Sequence, residues 1–109
     1  MNADPTPDEL QVLRRLMIDL AAYFRKNLPG GEIDFEIRGR RAEIRRGLMV
    51  GWPRRRMSWE ILLGVRWEFP FLYYQVGSSI VRPSVVTDLV DLLQYGAPNL
   101  HVRKESATN

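Results

Sequence analysis

Apolar side chains in the first quarter of the chain recur every three or four residues, which is the spacing of an amphipathic helix. These side chains are Leu10, Leu13, Met17, Leu20, Phe24 and Leu28. The residues before them form a capping box, in which Thr6 caps the helix, Pro7 occupies its first position and Glu9 reaches back to the cap. Because Pro29-Gly30-Gly31 cannot continue a helix, we predict a first helix between Thr6 and Pro29.

The pattern then changes to alternation, the period of a half-buried β-strand. A first strand buries alternate positions from Ile33 to Ile37, and Gly39-Arg40 predicts a two-residue hairpin turn. The second strand that follows has a second set of inward positions: Ala42, Ile44, Leu48, Val50 and Trp52. We therefore place Trp52 on the core side of the sheet. The alternative is that Trp52 and the neighbouring arginine planes stack on a bound nucleic acid.

The pairing of these two strands can be read from the turn. A two-residue turn sets Asp34 opposite Arg45 and Phe35 opposite Ile44. Arg46 falls on the apolar phase of the second strand, which predicts a β-bulge or the rim of the sheet at that point.

Two further strands and a helix complete the pattern. After the loop Arg54–Arg56, a third strand has alternating inward positions: Trp59, Ile61, Leu63, Val65 and Trp67. A fourth strand, rich in Tyr and Phe, runs from Phe71 to about Val81. Arg82-Pro83-Ser84 opens a second helix, with Ser84 as a cap residue, and Gly96 with Pro98 ends it.

The predicted fold class is α+β, in the order α-β-β-β-β-α. It is a four-stranded antiparallel β-meander with the N- and C-terminal helices packed on one face. The 109 residues suffice for a single domain, 1–109, and we expect residues 1–5 and about 99–109 to be loosely ordered ends. The stretch Leu100–Arg103 could add a short edge strand.

Composition narrows the classes of function. The chain has no cysteine and one histidine (His101). Its first residues do not show the basic-then-apolar pattern expected of a signal peptide, and no stretch approaches the roughly 20 apolar residues that a bilayer requires. We expect no cofactor, no metal and no membrane partner, and a cytoplasmic location. The net charge is +3, and 16 residues are basic, so an anionic partner is the natural expectation.

The predicted strand connections determine at which end of the sheet each of these basic residues lies. Alternate connections of a meander lie at opposite ends of the sheet, about 33 Å apart for a ten-residue strand. We therefore predict an anion-binding pole at one end, formed by Arg25, Lys26, Arg54, Arg55, Arg56, Arg82 and Ser84. A secondary basic pole at the other end comprises Arg38, Arg40, Arg41 and Arg66. The open face of the sheet should be acidic on balance, through Glu32, Asp34, Glu36, Glu43, Glu60 and Glu68.

The leading functional hypothesis is a non-enzymatic binding module that engages a polyanion, nucleic acid foremost, through the arginine-rich pole. A solvated, functionally silent rim of charge fits the same residues. The alternative is an adaptor, inhibitor or chaperone-like protein that docks on an acidic protein surface by its basic loop or by the aromatic fourth strand (Phe71, Tyr73, Tyr74). A free edge on that strand would also permit a homodimer.

One pattern points to catalysis. Asp34 on the first strand and Glu43-Ile44-Arg45 on the second resemble the core of the PD-(D/E)xK nucleases. That family holds a divalent metal with paired carboxylates, which prepare a water for attack on a phosphodiester. Here Arg45 occupies the position of the family's lysine and cannot release a proton. We therefore keep a metal-dependent nuclease as the last alternative and expect no catalytic residue.

Overall fold

The computed structural model, which describes residues 4–105, is an α+β fold with a mixed five-stranded sheet. Its elements are α1 (Pro7–Asn27), β1 (Glu32–Arg38), β2 (Arg41–Val50), β3 (Arg56–Glu68), β4 (Phe71–Val76), α2 (Pro83–Gly96) and β5 (His101–Lys104). The strand order is β1-β2-β3-β4-β5, and every pairing is antiparallel except that of β4 with β5. The expectations for residues 1–3 and 106–109 lie outside the described residues.

The meander of four antiparallel strands is confirmed, but the sheet has a fifth strand. β5 runs parallel to β4, with Leu72 opposite Val102, and α2 is the crossover between them. Residues 101–104 are thus hydrogen-bonded in the sheet. This confirms the short edge strand expected at Leu100–Arg103 and corrects the expectation of a loose end from about residue 99. β4 also ends at Val76 rather than near Val81.

Helix α1 begins as predicted. The Glu9 backbone N–H donates to Thr6 Oγ1 at 3.2 Å, and the Thr6 N–H donates to Glu9 Oε1 at 2.9 Å. Arg40 of the first hairpin turn lies 3.0 Å from the same carboxylate. The Thr6 N–H and, after it, Arg40 hold the pKa of Glu9 below its ordinary value.

The core lies between the two helices and one face of the sheet. Its largest fully buried side chains are Phe24, Leu13, Leu16, Met17, Leu20, Ile44, Leu62, Leu63, Leu72, Leu89 and Leu93. At the helix–helix contact, Tyr23 Oη donates to Asp88 at 2.6 Å, and this bond raises the pKa of Tyr23 to about 12. Helix α2 begins without a side-chain cap, because Arg82 is its N-cap and Ser84 lies inside the helix. The prediction of Ser84 as a cap is therefore wrong.

The first hairpin has the predicted register. Asp34 lies opposite Arg45 and Phe35 opposite Ile44. The turn residues are Gly39 and Arg40, and Gly39 has a φ of 57°, a conformation that glycine adopts without a steric cost.

A β-bulge divides β3 and exchanges its two faces. Ile44 lies opposite Leu63 but Arg45 lies opposite Ile61, so Leu62 is the extra residue. From Ile61 back to Arg56, each side chain of β3 therefore lies on the opposite face of the sheet from the one that simple alternation predicts. Trp59 and Ile61, predicted to face the core, are instead on the open face and each is 43% exposed.

The same bulge explains the arginine on the apolar phase. Arg46 lies opposite Glu60 on the helix side of the sheet, with its Nη2 at 3.0 Å from Glu60 Oε1. Ser78 Oγ donates to the other oxygen of that carboxylate at 3.3 Å. Glu60 therefore does not contribute to the open face as predicted, whereas Arg41 does, because it lies opposite Arg38 and Arg66.

Strands β2 and β3 continue past the rest of the sheet. The pairing of β1 with β2 stops at Gly47, and β4 pairs with β3 only from Leu63 onward. The pairing of β2 with β3 continues to Val50 and Arg56. Residues 48–58 therefore form a two-stranded projection, which we call the arm, and the molecule measures 48 × 30 × 30 Å.

Candidate functional site

The tip of the arm is a tight connection from Gly51 to Arg55. Gly51 has a φ of 95°, and a Cβ atom there would lie 2.5 Å from the Arg54 carbonyl oxygen, so only glycine suits this position. Trp52 follows it and is 83% exposed. Its predicted place in the core is wrong, because no helix or strand among residues 4–105 covers the ring.

Three arginines occupy the end of the arm. Arg54, Arg55 and Arg56 are all exposed, and none forms an ion pair with a residue in the described range 4–105. The guanidinium carbon of Arg55 lies 6.0 Å from the centroid of the Trp52 ring, which is within cation–π range. The tip thus combines three uncompensated positive charges with one exposed indole.

Several arginines in the body of the sheet are compensated, although Arg41 and Arg103 form no ion pair within residues 4–105. Arg45 Nη2 lies 3.1 Å from Asp34 Oδ2. Arg66 contacts two carboxylates, those of Glu68 at 2.6 Å and Glu105 at 3.4 Å. A guanidinium already held by carboxylates has less charge to offer an external anion.

An apolar strip continues from the arm into the open face of the sheet. Met57, Trp59 and Ile61 alternate along β3, and Met49 lies opposite Met57. The Trp59 ring lies over Gly47, since a Cβ atom there would be 2.8 Å from the ring. Arg45 lies 5.4 Å from the Trp59 centroid. We call Met49, Met57, Trp59 and Ile61 the strip. Our sequence reasoning missed it, because the bulge or rim predicted at Arg46 was placed in β2, whereas the irregularity lies next to Arg45 and its extra residue, Leu62, is in β3.

The predicted anion-binding pole is spread along the molecule. Arg25 donates to the Ile33 carbonyl oxygen at 3.1 Å, and Ile33 lies opposite Arg46. Val50 at the start of the tip is four residues further, or about 13 Å along the strand. Arg54–Arg56 therefore lie together with Trp52, beyond the level of Arg25; Lys26, next to Arg25, is also exposed.

Arg82 lies at the same end of the molecule but at a third position along the strands, further from the tip than Arg25. The Gly77 N–H donates to the Leu62 carbonyl oxygen at 2.9 Å, just before the turn that leads to Arg82 and Ser84. Leu62 and Arg56 are six residues apart in β3, about 20 Å along the strand. A role of Arg82 and Ser84 in anion binding stays a prediction.

The secondary basic pole is brought together at the opposite end. Arg38, Arg40, Arg41 and Arg66 line a groove of about 580 Å³ together with Glu9 and Glu68. Arg38 is paired with Glu36 at 3.0 Å, and Arg40 with Glu9. Most of the positive charge at this pole is therefore neutralised locally.

The carboxylates of the nuclease-like pattern have other contacts. Asp34 is held by Arg45, which also lies 3.8 Å from Glu36, and Glu36 is opposite Glu43 in the sheet. No group of three or more potential ligands that could hold a metal ion occurs among residues 4–105. Asp34, Glu36, Glu43 and Arg45 are thus arranged as charged neighbours on the paired strands β1 and β2.

The aromatic residues of β4 are divided between the two faces. Tyr74 packs against the core, whereas Phe71 and Tyr73 lie on the open face with their ring centroids 5.7 Å apart. β4 lies between β3 and β5, so it has no free edge. The expectation of a free edge on this strand is therefore wrong for the described residues, whereas docking by its aromatic side chains stays a prediction.

Comparison of the chain with protein-family models, curated proteins and solved structures finds no match. Neither α1 nor α2 combines the length and apolar character that a bilayer crossing requires.

Proposed function

We propose that the protein is a non-enzymatic binding module that engages a polyanion, nucleic acid foremost, through its arm. The observation that supports this is the tip itself. There Arg54, Arg55 and Arg56 have no carboxylate partner among residues 4–105 and lie beside the exposed Trp52. Arginine presents a planar set of donors that matches a phosphate in two-point contacts.

The position of the tip also favours a long polymer as ligand. The arm projects from the sheet, so that a chain of phosphates can pass it without meeting the acidic residues of the body. Charge repulsion within Arg54–Arg56 is relieved when phosphates bind and counterions are released. Cations at the same end, Arg25, Lys26 and Arg82, lie about 13 to 20 Å further along the strands. This exceeds the Debye length of about 10 Å at 0.1 M salt, so they would add attraction only at lower salt.

The test is a triple substitution of Arg54, Arg55 and Arg56 by Ala, with binding of labelled DNA and RNA followed by fluorescence anisotropy at several salt concentrations. Loss of up to three phosphate contacts should reduce the slope of log K against log salt by about 2 to 3. Affinity at low salt should fall, and circular dichroism should remain unchanged because the arm does not support the core.

A charge-matched control is the triple substitution of Arg14, Arg15 and Lys104 by Ala. All three residues are exposed and lie outside the arm. This variant should retain the salt slope of the unmodified protein. Equal affinities of the two triple variants and the unmodified protein would refute the proposal.

The second candidate is an adaptor, inhibitor or chaperone-like protein that docks on a protein partner. The strip favours it, since Met49 is 58% exposed, and tryptophan and methionine are enriched at interfaces. Substitution of Ile61 by Ser should weaken such docking or a homodimer and leave nucleic-acid affinity unchanged. Light scattering at two protein concentrations measures the homodimer directly.

A further inference from the structure

We infer that the nucleic acid bound by the arm is single-stranded, with a base stacked on the Trp52 ring. This inference rests on the proposed function and specifies its ligand. It follows from the exposure of an indole at the point where the uncompensated arginines gather.

The geometry of Trp52 suits a stacking platform. The ring is 83% exposed, and the Arg55 guanidinium lies 6.0 Å from its centroid. One guanidinium can cover only one face of an indole, so the other face stays open to a base. Burying that face against a base removes apolar surface from water and adds a stacking contact.

A second indole extends the same arrangement along the arm. Trp59 is half-exposed and has the Arg45 guanidinium 5.4 Å from its centroid. It lies opposite Gly47, five residues before Trp52, or at most about 17 Å along the strand. The exposed Met49 lies between them, so apolar contacts continue from one ring to the other, with cations at both ends.

A duplex would use this surface less completely. Bases in a duplex are stacked on one another and present only their edges in the grooves. A two-stranded arm is narrow enough for a major groove about 12 Å wide, but there the arginines would contact phosphates and Trp52 would have no base face to cover. A single strand can use the charges and the ring together.

The experiment compares labelled single-stranded oligonucleotides of about 16 residues with the duplex of the same sequence, using the full-length protein. Trp52→Ala should weaken single-strand binding by about 5- to 150-fold, as expected for loss of one stacked base. Its salt slope should equal that of the unmodified protein, since no charge is removed. Trp52→Phe should retain most of the affinity, and the unmodified protein should prefer the single strand.

Tyr95→Ala is the matched control. Tyr95 is 79% exposed on α2, so its removal takes away an equally exposed aromatic ring outside the arm. It should change neither affinity nor salt slope. Circular dichroism of each variant checks that the fold is retained.

The outcomes separate this inference from the proposed function. If single strand and duplex bind equally well and Trp52→Ala matches the unmodified protein, the stacking inference is wrong while the arginine arm remains a polyanion site. If neither nucleic acid binds at low salt, both are wrong. Binding to vesicles containing anionic lipid without binding to either oligonucleotide would overturn both and identify a lipid headgroup as the source of phosphate.

Discussion

The body of the sheet and the arm are built from the same two strands, yet they differ in what surrounds them. In the body, β2 and β3 lie between β1 and β4 and under two helices. In the arm, the same strands pair only with each other, and Leu48 at its base lies beside Gly31 of the body. A two-stranded ribbon by itself is marginally stable in water, so the arm contributes little to the stability of the fold.

The charges follow the same division. Arg45 and Arg46 in the body are matched by Asp34 and Glu60 across the sheet. The arginines of the tip have no such partners among the described residues. The tip thus combines a run of unmatched charge with the exposed Trp52, in a part of the molecule where binding to another molecule costs the fold least.

The largest expected effect is on the free energy of unfolding, which should fall far more for a substitution in the body of the protein than for one in the arm. Phe24 is fully buried under the sheet, so Phe24→Ala should lower the free energy of unfolding by about 3 to 5 kcal/mol, through lost burial and a cavity. Trp52→Ala in the arm should change it by less than about 0.5 kcal/mol. Urea unfolding monitored by circular dichroism measures both.

If Phe24→Ala does not fold, Ile44→Val provides a milder change in the core, with an expected loss of about 0.5 to 1.5 kcal/mol. A loss for Trp52→Ala as large as that for Phe24→Ala would mean that the arm packs on the body, contrary to the structure.

A smaller effect concerns local opening of the arm. Gly51→Ala places a side chain at a φ of 95° and close to the Arg54 carbonyl, which costs about 1 to 2 kcal/mol. Amide hydrogen exchange in residues 48–50 and 56–58 should therefore accelerate by about 5- to 30-fold, while the urea midpoint of the whole protein should hardly move.

Gly64→Ala is the control for this measurement, because Gly64 lies in the body part of β3 and a Cβ atom there would meet open space. Exchange in the arm should be unaffected. Equal acceleration throughout the sheet in Gly51→Ala would show that arm and body unfold as one unit.

The smallest effect is pH-dependent and belongs to the body. The pKa of Glu9 is lowered in the folded protein, first by the Thr6 N–H and then by Arg40. A carboxyl whose folded pKa lies below its unfolded value stabilises the fold above the unfolded pKa, and this contribution is lost as the pH falls through the folded pKa. Glu9→Gln should therefore cost about 0.5 kcal/mol at pH 7, and the cost should diminish progressively as the pH falls below 4.5 and through the folded pKa. Urea unfolding at a series of pH values measures this. A difference that does not change with pH would exclude a charge effect.

The local sequence was sufficient to predict those elements that depend on residues close together in the chain. The capping box at Thr6 and Glu9, the hairpin turn at Gly39 and the register of Asp34 with Arg45 are all as predicted. Each depends on a few neighbouring residues and on the steric limits of the backbone. The same holds for the four antiparallel strands.

The candidate site could be predicted only in part. The run Arg54–Arg56 is visible in the sequence, and so is the loop that carries it. The extra residue Leu62 cannot be identified in the sequence, because an extra residue in one strand is defined only by the strand with which it pairs. Trp59 and Ile61 were consequently assigned to the wrong face, and Trp52 to a core that does not extend that far.

The amino-acid sequence alone therefore determined which segments are helices and strands and how the first hairpin pairs. It also determined that three arginines share one loop. These features depend on local conformational preference and on the period of the hydrophobic residues. Only the folded arrangement decided that β2 and β3 outgrow β1 and β4, that β5 closes the edge of β4 and that Trp52 is exposed beside uncompensated arginines. Those features depend on the relative lengths of elements far apart in sequence, because a side chain is buried only when another layer reaches it.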